Sequence, residues 1–402
     1  MAMSDNVVRQ PDVIKSAATM RLTGALRDLA PPFLRLGLTA FGGPAAHIAM
    51  MDEEFVRRRA WVSRAGFLDM LGASNLVPGP SSTEMAIHIG HQRAGWRGLV
   101  VAGICFIVPA MLLVFICAWA YATFGSLPQA QSIMYGVKPM TIAVVLQALW
   151  GLARGAVKNV FLATVGLLAT AAALAGGNVL AILVAAGLVA ITPAWLQNRP
   201  AYVSLAALPT TKSLLALAAP LTAAVPLGLW GLFLRFLKFG AVIFGSGYVL
   251  LAFLQADLVS RLHWLTQAQL LDAVAVGQVT PGPVFTTATF IGYLLGGIPG
   301  ALVATLGIFL PGFLFVAASR PLIPRIRASR IAGAFLDGVN VGAVALMIAV
   351  SLQLGRAAVI DFLTGAIVAL SAVILIFLRI NSAWLIFAGA LIGFARMSWL
   401  GG

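Results

Sequence analysis

The run Asn75-Leu-Val-Pro78-Gly79-Pro80-Ser81-Ser82-Thr83-Glu84 lies inside an otherwise apolar stretch. Gln278-Val-Thr280-Pro281-Gly282-Pro283-Val-Phe-Thr286-Thr287 repeats its design 203 residues later. Proline withdraws a backbone donor and clashes inside a helix, while glycine supplies turn freedom, so each run opens its own backbone. At membrane depth an opened backbone is tolerated only against protein or a water-filled cavity. A polar pathway is therefore written into the chain twice.

The duplication extends outward from the two cores. Phe41-Gly42-Gly43 answers Phe244-Gly245-Ser246 and Trp61 answers Trp264, again 203 residues apart. Pro109 and Pro311, Gly136 and Gly338, and Arg154 and Arg356 are 202 apart, so one residue has been lost between the copies. Weak paired repeats with Gly/Pro-interrupted segments at matching positions point to a secondary transporter whose site lies between its halves. The expected division is an N-terminal cytoplasmic arm over 1–32, a first repeat over 33–196, a linker and connecting transmembrane helix over 197–234, and a second repeat over 235–402.

Composition places the chain in lipid: 61% of residues are apolar, 9% are charged and the mean hydropathy is +0.99. The 26 basic residues against 12 acidic ones are scattered or sit in loop clusters rather than in one stripe, which argues against nucleic acid as a partner. The first thirty residues lack a continuous apolar core, so no cleaved signal peptide is expected. Cys105 and Cys117 share one apolar segment and read as packing residues.

Full spans are expected at 98–120, 133–153, 160–176, 179–196, 214–234, 299–318, 331–355, 359–378 and 382–399. Four segments look interrupted: 33–51, 65–90, 236–255 and 266–292. Arg57, Arg58, Arg59 and Arg64 precede 65–90 and Arg93 and Arg97 follow it, which predicts that both flanks are cytoplasmic and that the segment enters and returns. The loop at 121–131 carries no Lys or Arg, whereas its counterpart carries Arg320, Arg325, Arg327 and Arg330. The bias inverts between the halves, and five intervening spans turn the second half over. The fold class is thus an all-α integral membrane protein of two homologous halves in inverted topology, each with two broken segments plus full spans.

Phe41-Gly42-Gly43-Pro44, the acids Asp52-Glu53-Glu54, Trp61, Asn75-Leu-Val-Pro78-Gly79-Pro80, Gly95-Trp96-Arg97-Gly98 and Pro109-Ala110 together resemble the chromate ion transporter family. Phe244-Gly245-Ser246-Gly247, Gln278-Val-Thr280-Pro281-Gly282-Pro283 and Phe309-Leu-Pro-Gly resemble its second domain. The resemblance covers nearly the whole chain and is to the long-chain, two-domain members. It implies a multi-pass protein of the bacterial inner membrane that exports chromate, confers resistance to it, and meets sulfate as an isosteric competitor, acting alone or as a homodimer. The copies differ at Gly43 (Ser246), Pro44 (Gly247) and Glu84 (Thr287).

An oxyanion suits these motifs. Pro80 fits the first turn of a half-helix, beside the hydroxyls of Ser81, Ser82 and Thr83 and free backbone N–H groups. Pro283 with Thr286 and Thr287 supplies a facing terminus, and the breaks at Gly42-Gly43-Pro44 and Gly245-Ser246-Gly247 add two more. Asn75, Pro78, Gly79, Gln278, Thr280, Pro281 and Gly282 complete the expected substrate-binding set. Glu84 is either a protonatable coupling group or a carboxylate stabilised by its own helix start. Lys138 is either a substrate attractor or a residue snorkelling to the interface. Asp69 and Asp272, each near a segment end, read as interfacial, and His47, His88 and His91 as packing or interfacial residues rather than metal ligands.

No Walker, zinc or nucleophile-elbow signature is present, so neither an enzyme nor a cofactor is expected. Three rivals remain open: a sulfate or oxyanion importer, a membrane-embedded lipid-phosphate enzyme, and a structural or sensory subunit. An enzyme would want Arg, His and Asp clustered at an interface, and a structural subunit would have no use for duplicated breaks.

Overall fold

The computed structural model describes residues 10–74, 77–197, 228–244, 247–319, 329–378 and 380–400. In chain order its helices are α1 Gln10–Thr39, α2 Gly43–Met51, α3 Arg64–Ser74, α4 Ser81–Phe124, α5 Pro128–Ala156, α6 Val160–Leu174 and α7 Val179–Gln197. There follow α8 Leu229–Val242, α9 Leu250–Leu254, α10 Gln267–Val279, α11 Thr287–Ser319, α12 Arg330–Ala358, α13 Phe362–Val373 and α14 Ser382–Leu400. Among the described residues there is no strand. Four helical stretches, Ser81–Phe124, Pro128–Ala156, Val284–Ala318 and Arg330–Ala358, are long and apolar enough to cross a membrane.

The internal repeat reaches the level of single contacts. Leu29, Phe33, Leu36 and Ala40 form a buried stripe at three- and four-residue intervals where α1 packs on α4. Leu232, Phe236, Phe239 and Ile243 repeat it, each 203 residues on, where α8 packs on α11. Gly37 faces the Phe106 carbonyl and Gly240 the Ile308 carbonyl so closely that a methyl group on either would overlap it. Small residues at such crossings let backbones approach, which is how helices associate when lipid offers no hydrophobic drive between them. The stripe starts at Leu29 within α1, which runs unbroken from Gln10 to Thr39.

All four segments expected to be interrupted are broken. Helix stops at Thr39 and resumes at Gly43, stops at Ser74 and resumes at Ser81, stops at Val242 and resumes with the short turn Gly247–Val249, and stops at Val279 and resumes with Val284–Thr286. A second device was not legible. In α4, Ala94 (φ −143°, ψ 28°) and Gly95 (φ 57°, ψ −144°) leave helical geometry. In α11, Gly296 (φ −151°, ψ 21°) and Gly297 (φ 59°, ψ −148°) do the same. Only glycine adopts the second conformation of each pair without strain. Each turn folds the helix back on itself, with Gly90 against Gly98 and Gly292 against Gly300 too close for any side chain. Arg59, ahead of α3, and Arg93, at the end of the limb 81–93, lie over the Trp61 ring at 5.1 and 5.2 Å. The chain between them therefore leaves and returns to one place.

The halves are interlaced. α6 and α7 pack on α12, while α13 and α14 pack on α5. Gly136 of α5 meets Gly389 of α14, and Gly338 of α12 meets Ala186 of α7. Lys158, just past α5, pairs with Asp337 early in α12 at 2.6 Å, and Tyr135, early in α5, donates to Asp361 just past α12 at 2.5 Å. These two equivalent helices thus run antiparallel against one another. Arg320, Arg325, Arg327 and most of the linker 197–213 lie outside the described residues.

Candidate functional site

The two Pro-Gly-Pro breaks dock into each other's halves. Gly79 N–H donates to the Ile243 carbonyl at 2.7 Å, and Gly282 N–H donates to the Ala40 carbonyl at 2.9 Å. Donors and acceptors are each 203 residues apart in sequence, so the pair is a reciprocal exchange between repeat-equivalent groups. Ala40 and Ile243 each follow the last turn of a helix that then breaks, which leaves a carbonyl without a helical donor. Gly79 (φ 144°) and Gly282 (φ 92°) lie in the region that glycine tolerates and side chains do not. His47 Nε2 also donates to the Ala40 carbonyl at 3.0 Å, where the second half has Leu250.

Those expected binding residues that the structure describes line these breaks, with one change of role. Pro80 (φ −76°, ψ 95°) and Pro283 (φ −64°, ψ 129°) are extended N-caps rather than first-turn residues. Their carbonyls start the helices: Pro80 accepts from Thr83 and Glu84 N–H at 2.8 and 3.0 Å, and Pro283 from Thr286 N–H at 2.9 Å. Ser81, Ser82, Thr83, Glu84, Gln278, Thr280, Thr286 and Thr287 are all buried. The second-half hydroxyls are turned onto their own backbone: Thr280 donates to Val276, Thr286 to Pro283 and Thr287 to Val284, at 2.8–2.9 Å. Such bonds leave the hydroxyl lone pairs but commit the protons.

Four buried polar atoms at the breaks, three of them in the first half, are not committed in this way. Thr83 Oγ1 and both oxygens of Glu84, which is 0% exposed, have no hydrogen-bond partner among the described residues, nor has Gln278 Nε2. Glu84 reaches so close to Gly79 that a methyl group there would overlap its carboxyl. Thr287, its counterpart, is set against Gly277 in the same manner.

Tyr248, which sequence reading passed over, bridges the halves. Its hydroxyl donates to Gln278 Oε1 at 3.3 Å and stands 3.0 Å from where a methyl on Gly43 (φ 77°) would lie. Gly42 (φ 102°) caps α2 and Pro44 lies in its first turn, and Gly247 is buried against Val284 and Phe285. Asn75, Gly245 and Ser246 lie outside the described residues.

Asp272, read from the sequence as interfacial, is buried between the halves. It is 4% exposed on α10, with Lys138 Nζ of α5 at 3.0 Å and the Tyr121 hydroxyl donating to it at 2.8 Å. Lys138 thus pairs with a buried acid from the other half. Asp69, its repeat equivalent, is exposed. A second set was also missed: Asp257 is met by Arg235, Lys238 and Arg261 at 3.9, 3.1 and 3.2 Å. In the matching turn of the first half, Glu54 is held by Arg58 and Arg59 at 3.4 and 2.6 Å, and Asp52 by Arg57 at 3.5 Å and by Arg64. The Arg59 hydrogen bond holds the Glu54 carboxyl below its ordinary range. Among the described residues no cluster of His, Cys, Asp and Glu could hold a metal ion.

The sequence profile of the chromate transporter family matches this chain twice, at residues 27–191 and 230–394. The chain belongs to the chromate transporter family. It is 32% identical to a chromate transport protein of Cupriavidus metallidurans over 92% of this chain and 93% of the relative. It is likewise 32% identical to a probable chromate transport protein of Synechococcus elongatus over 87% of this chain and 90% of the relative. With a chromate transport protein of Pseudomonas aeruginosa the identity is 32% over 84% of this chain and 85% of the relative. No solved structure matches the chain. Family membership makes this chain a multi-pass membrane transporter rather than an enzyme, and gives it a chromate transport role.

Proposed function

We propose that the protein exports chromate from the cytoplasm across the bacterial inner membrane, through a centre formed where the two Pro-Gly-Pro breaks interlock, and so gives chromate resistance. The single observation that carries this reading is the reciprocal pair of backbone bonds, Gly79 to Ile243 and Gly282 to Ala40. It brings helix starts from both halves to one region, where backbone N–H groups favour an anion without committing full charges to it. A dianion held by dipoles and hydroxyls can leave again.

The halves, 33–196 and 235–402 with a linker and connecting helix between, span the membrane in inverted topology. The antiparallel packing of α5 on its equivalent α12, through Lys158–Asp337 and Tyr135–Asp361, supports this. The segments 33–51, 65–90, 236–255 and 266–292 enter and return from opposite faces, a reading supported by Arg59 and Arg93 meeting at Trp61.

Energetics favour export. One charge crossing 100 mV is worth about 2.3 kcal/mol, so a dianion leaving a negative interior gains about 4.6 kcal/mol, more than about three decades of concentration ratio. Coupling to protons is not required. If protons are used, Glu84 carries them, since a charge on its unpartnered carboxyl has nothing to offset its desolvation. A protonated Glu84 repels the dianion less, which favours joint binding over exchange.

Everted membrane vesicles test the direction: accumulation of chromate under an inside-positive potential is expected, and uptake only into right-side-out vesicles would mean an importer. Cysteine labelling tests the inversion, with position 126 expected outside and position 329 inside. Labelling of both from one face would refute it.

A further inference from the structure

Asp272 belongs to the second half, and both of its partners belong to the first. Lys138 Nζ of α5 lies 3.0 Å from one carboxylate oxygen, and the Tyr121 hydroxyl of α4 donates to the other at 2.8 Å. The Tyr121 ring is also 5.2 Å from that of Phe290, and Phe115 meets Tyr293 edge-on at 5.3 Å. Both limbs of the second-half hairpin, α10 and the start of α11, are therefore held by side chains of the first half. Asp272 stands six residues ahead of Gln278 on one continuous helix, about 9 Å along its axis, so this hold lies next to the Pro-Gly-Pro break.

The hold is not duplicated. At the offset that relates Gly136 to Gly338, the residues Phe115, Tyr121 and Lys138 answer to Ala317, Ile323 and Asn340. No ring, hydroxyl or cation stands at those positions, and Asp69, the equivalent of Asp272, is exposed. A permanent join between halves would be served as well by apolar residues, because taking two charges out of water offsets much of what their attraction gains. An ion pair differs when it parts into water. Both charges are then solvated again, so the closed and open states lie close in free energy, as a contact broken once in every cycle requires.

We propose that Lys138, Tyr121 and Asp272 are a gate on one side of the centre, which holds the second-half hairpin closed over the interlocked breaks and parts each time an anion passes that side. Tyr121 is three residues from the end of α4, beside the uncharged turn 125–127. In the inverted topology that turn lies outside, so the gate closes the outer exit and this structure is the state shut to the outside. The face it serves rests on the function and topology proposed above, while the presence of a gate does not. Without a counterpart to the hold, the opposite side opens and closes by other contacts.

A reversible cross-link tests the gate in the full-length protein in proteoliposomes. Lys138→Cys and Asp272→Cys are made together in a chain that carries Cys105→Ala and Cys117→Ala, and removing both charges leaves neither unpaired, so the fold is retained. Bridging the two thiols with a short bis-methanethiosulfonate should cut chromate flux about tenfold or more, and dithiothreitol should restore it. Full flux in the bridged protein overturns the gate, because a static contact tolerates the bridge. A second measurement needs neither the bridge nor transport. In the same cysteine-free chain, the thiol of Gln278→Cys should react with a membrane-impermeant maleimide about tenfold faster once Lys138→Met and Asp272→Asn remove the pair, a gain in the open population that a merely structural role would not produce. Unchanged reactivity from both faces overturns the gate. Acceleration from the cytoplasmic face alone keeps the gate and refutes the assigned topology. Absence of chromate flux from the wild-type protein refutes the chromate reading, and the thiol reactivity still decides the gate.

Discussion

Gly282→Ala is the sharpest probe of the interlocked breaks, because its twin Gly79→Ala adds the same methyl group to the equivalent position in different surroundings. Both glycines hold positive φ, 92° and 144°, so alanine costs about 1–3 kcal/mol of backbone strain at either site. The surroundings separate them. At Gly282 the new methyl overlaps Ala110 Cβ and lies 3.1 Å from the Gly37 carbonyl oxygen, neither of which can yield without moving α4 or α1. At Gly79 it meets the end of the Glu84 side chain, which can swing aside. Overpacking against fixed atoms adds about 1–3 kcal/mol, so Gly282→Ala should be less stable than Gly79→Ala by that amount, and its Gly282 N–H bond to Ala40 should weaken. Thermal melting of both purified variants in detergent, with chromate flux at matched protein level, reads the difference. Transport is expected to fall at least tenfold in Gly282→Ala. Equal melting temperatures with full flux in both would refute the close interhalf packing on which the centre depends.

Lys138→Met should destabilise by about 3–5 kcal/mol by leaving Asp272 buried without its cation. The double variant with Asp272→Asn should recover most of that in a melting assay, and a double variant as unstable as the single one would remove the pair as the cause. Glu84→Gln should keep potential-driven flux and lose its pH dependence if Glu84 exchanges protons. An unaltered pH profile at clamped potential would rule out that role. Glu54→Gln tests the flanking turn. Arg59 depresses the Glu54 carboxyl, so its contribution is complete above the ordinary value of 4.5 and is lost as pH falls through the lowered one. The variant should therefore melt lower than wild type at pH 7, by about 1 kcal/mol for a partly exposed pair, and converge with it once the pH has fallen below that lowered value. A gap that persists in acid would contradict the assignment.

Patterns of local origin were legible in the sequence. The Pro-Gly-Pro breaks announced themselves because proline and glycine act on their own backbone, and most helix limits among the described residues followed from apolar run length. The turns at Ala94-Gly95 and Gly296-Gly297 were not legible, since one glycine of positive φ amid apolar neighbours looks like any other glycine in a span. What was least legible is what joins distant segments. Nothing near Gly79 specifies Ile243 as acceptor, and nothing near Asp272 announces Lys138 or Tyr121, so a buried ion pair read as an interfacial acid. Arg235 and Lys238 were passed over because single cations in an apolar helix look like snorkelling residues until their shared acid is in view. Tyr248 carried no signal beyond being a tyrosine beside a glycine break.

Chromate flux in proteoliposomes under an imposed membrane potential, without a pH gradient, tests the central claim most directly. Chromate should move toward the positive side at a rate that rises with potential, with sulfate competing, and Gly79→Val and Gly282→Val should abolish the flux while still inserting. Flux independent of potential, or undiminished in either valine variant at matched protein level, would contradict transport of a dianion through the interlocked breaks.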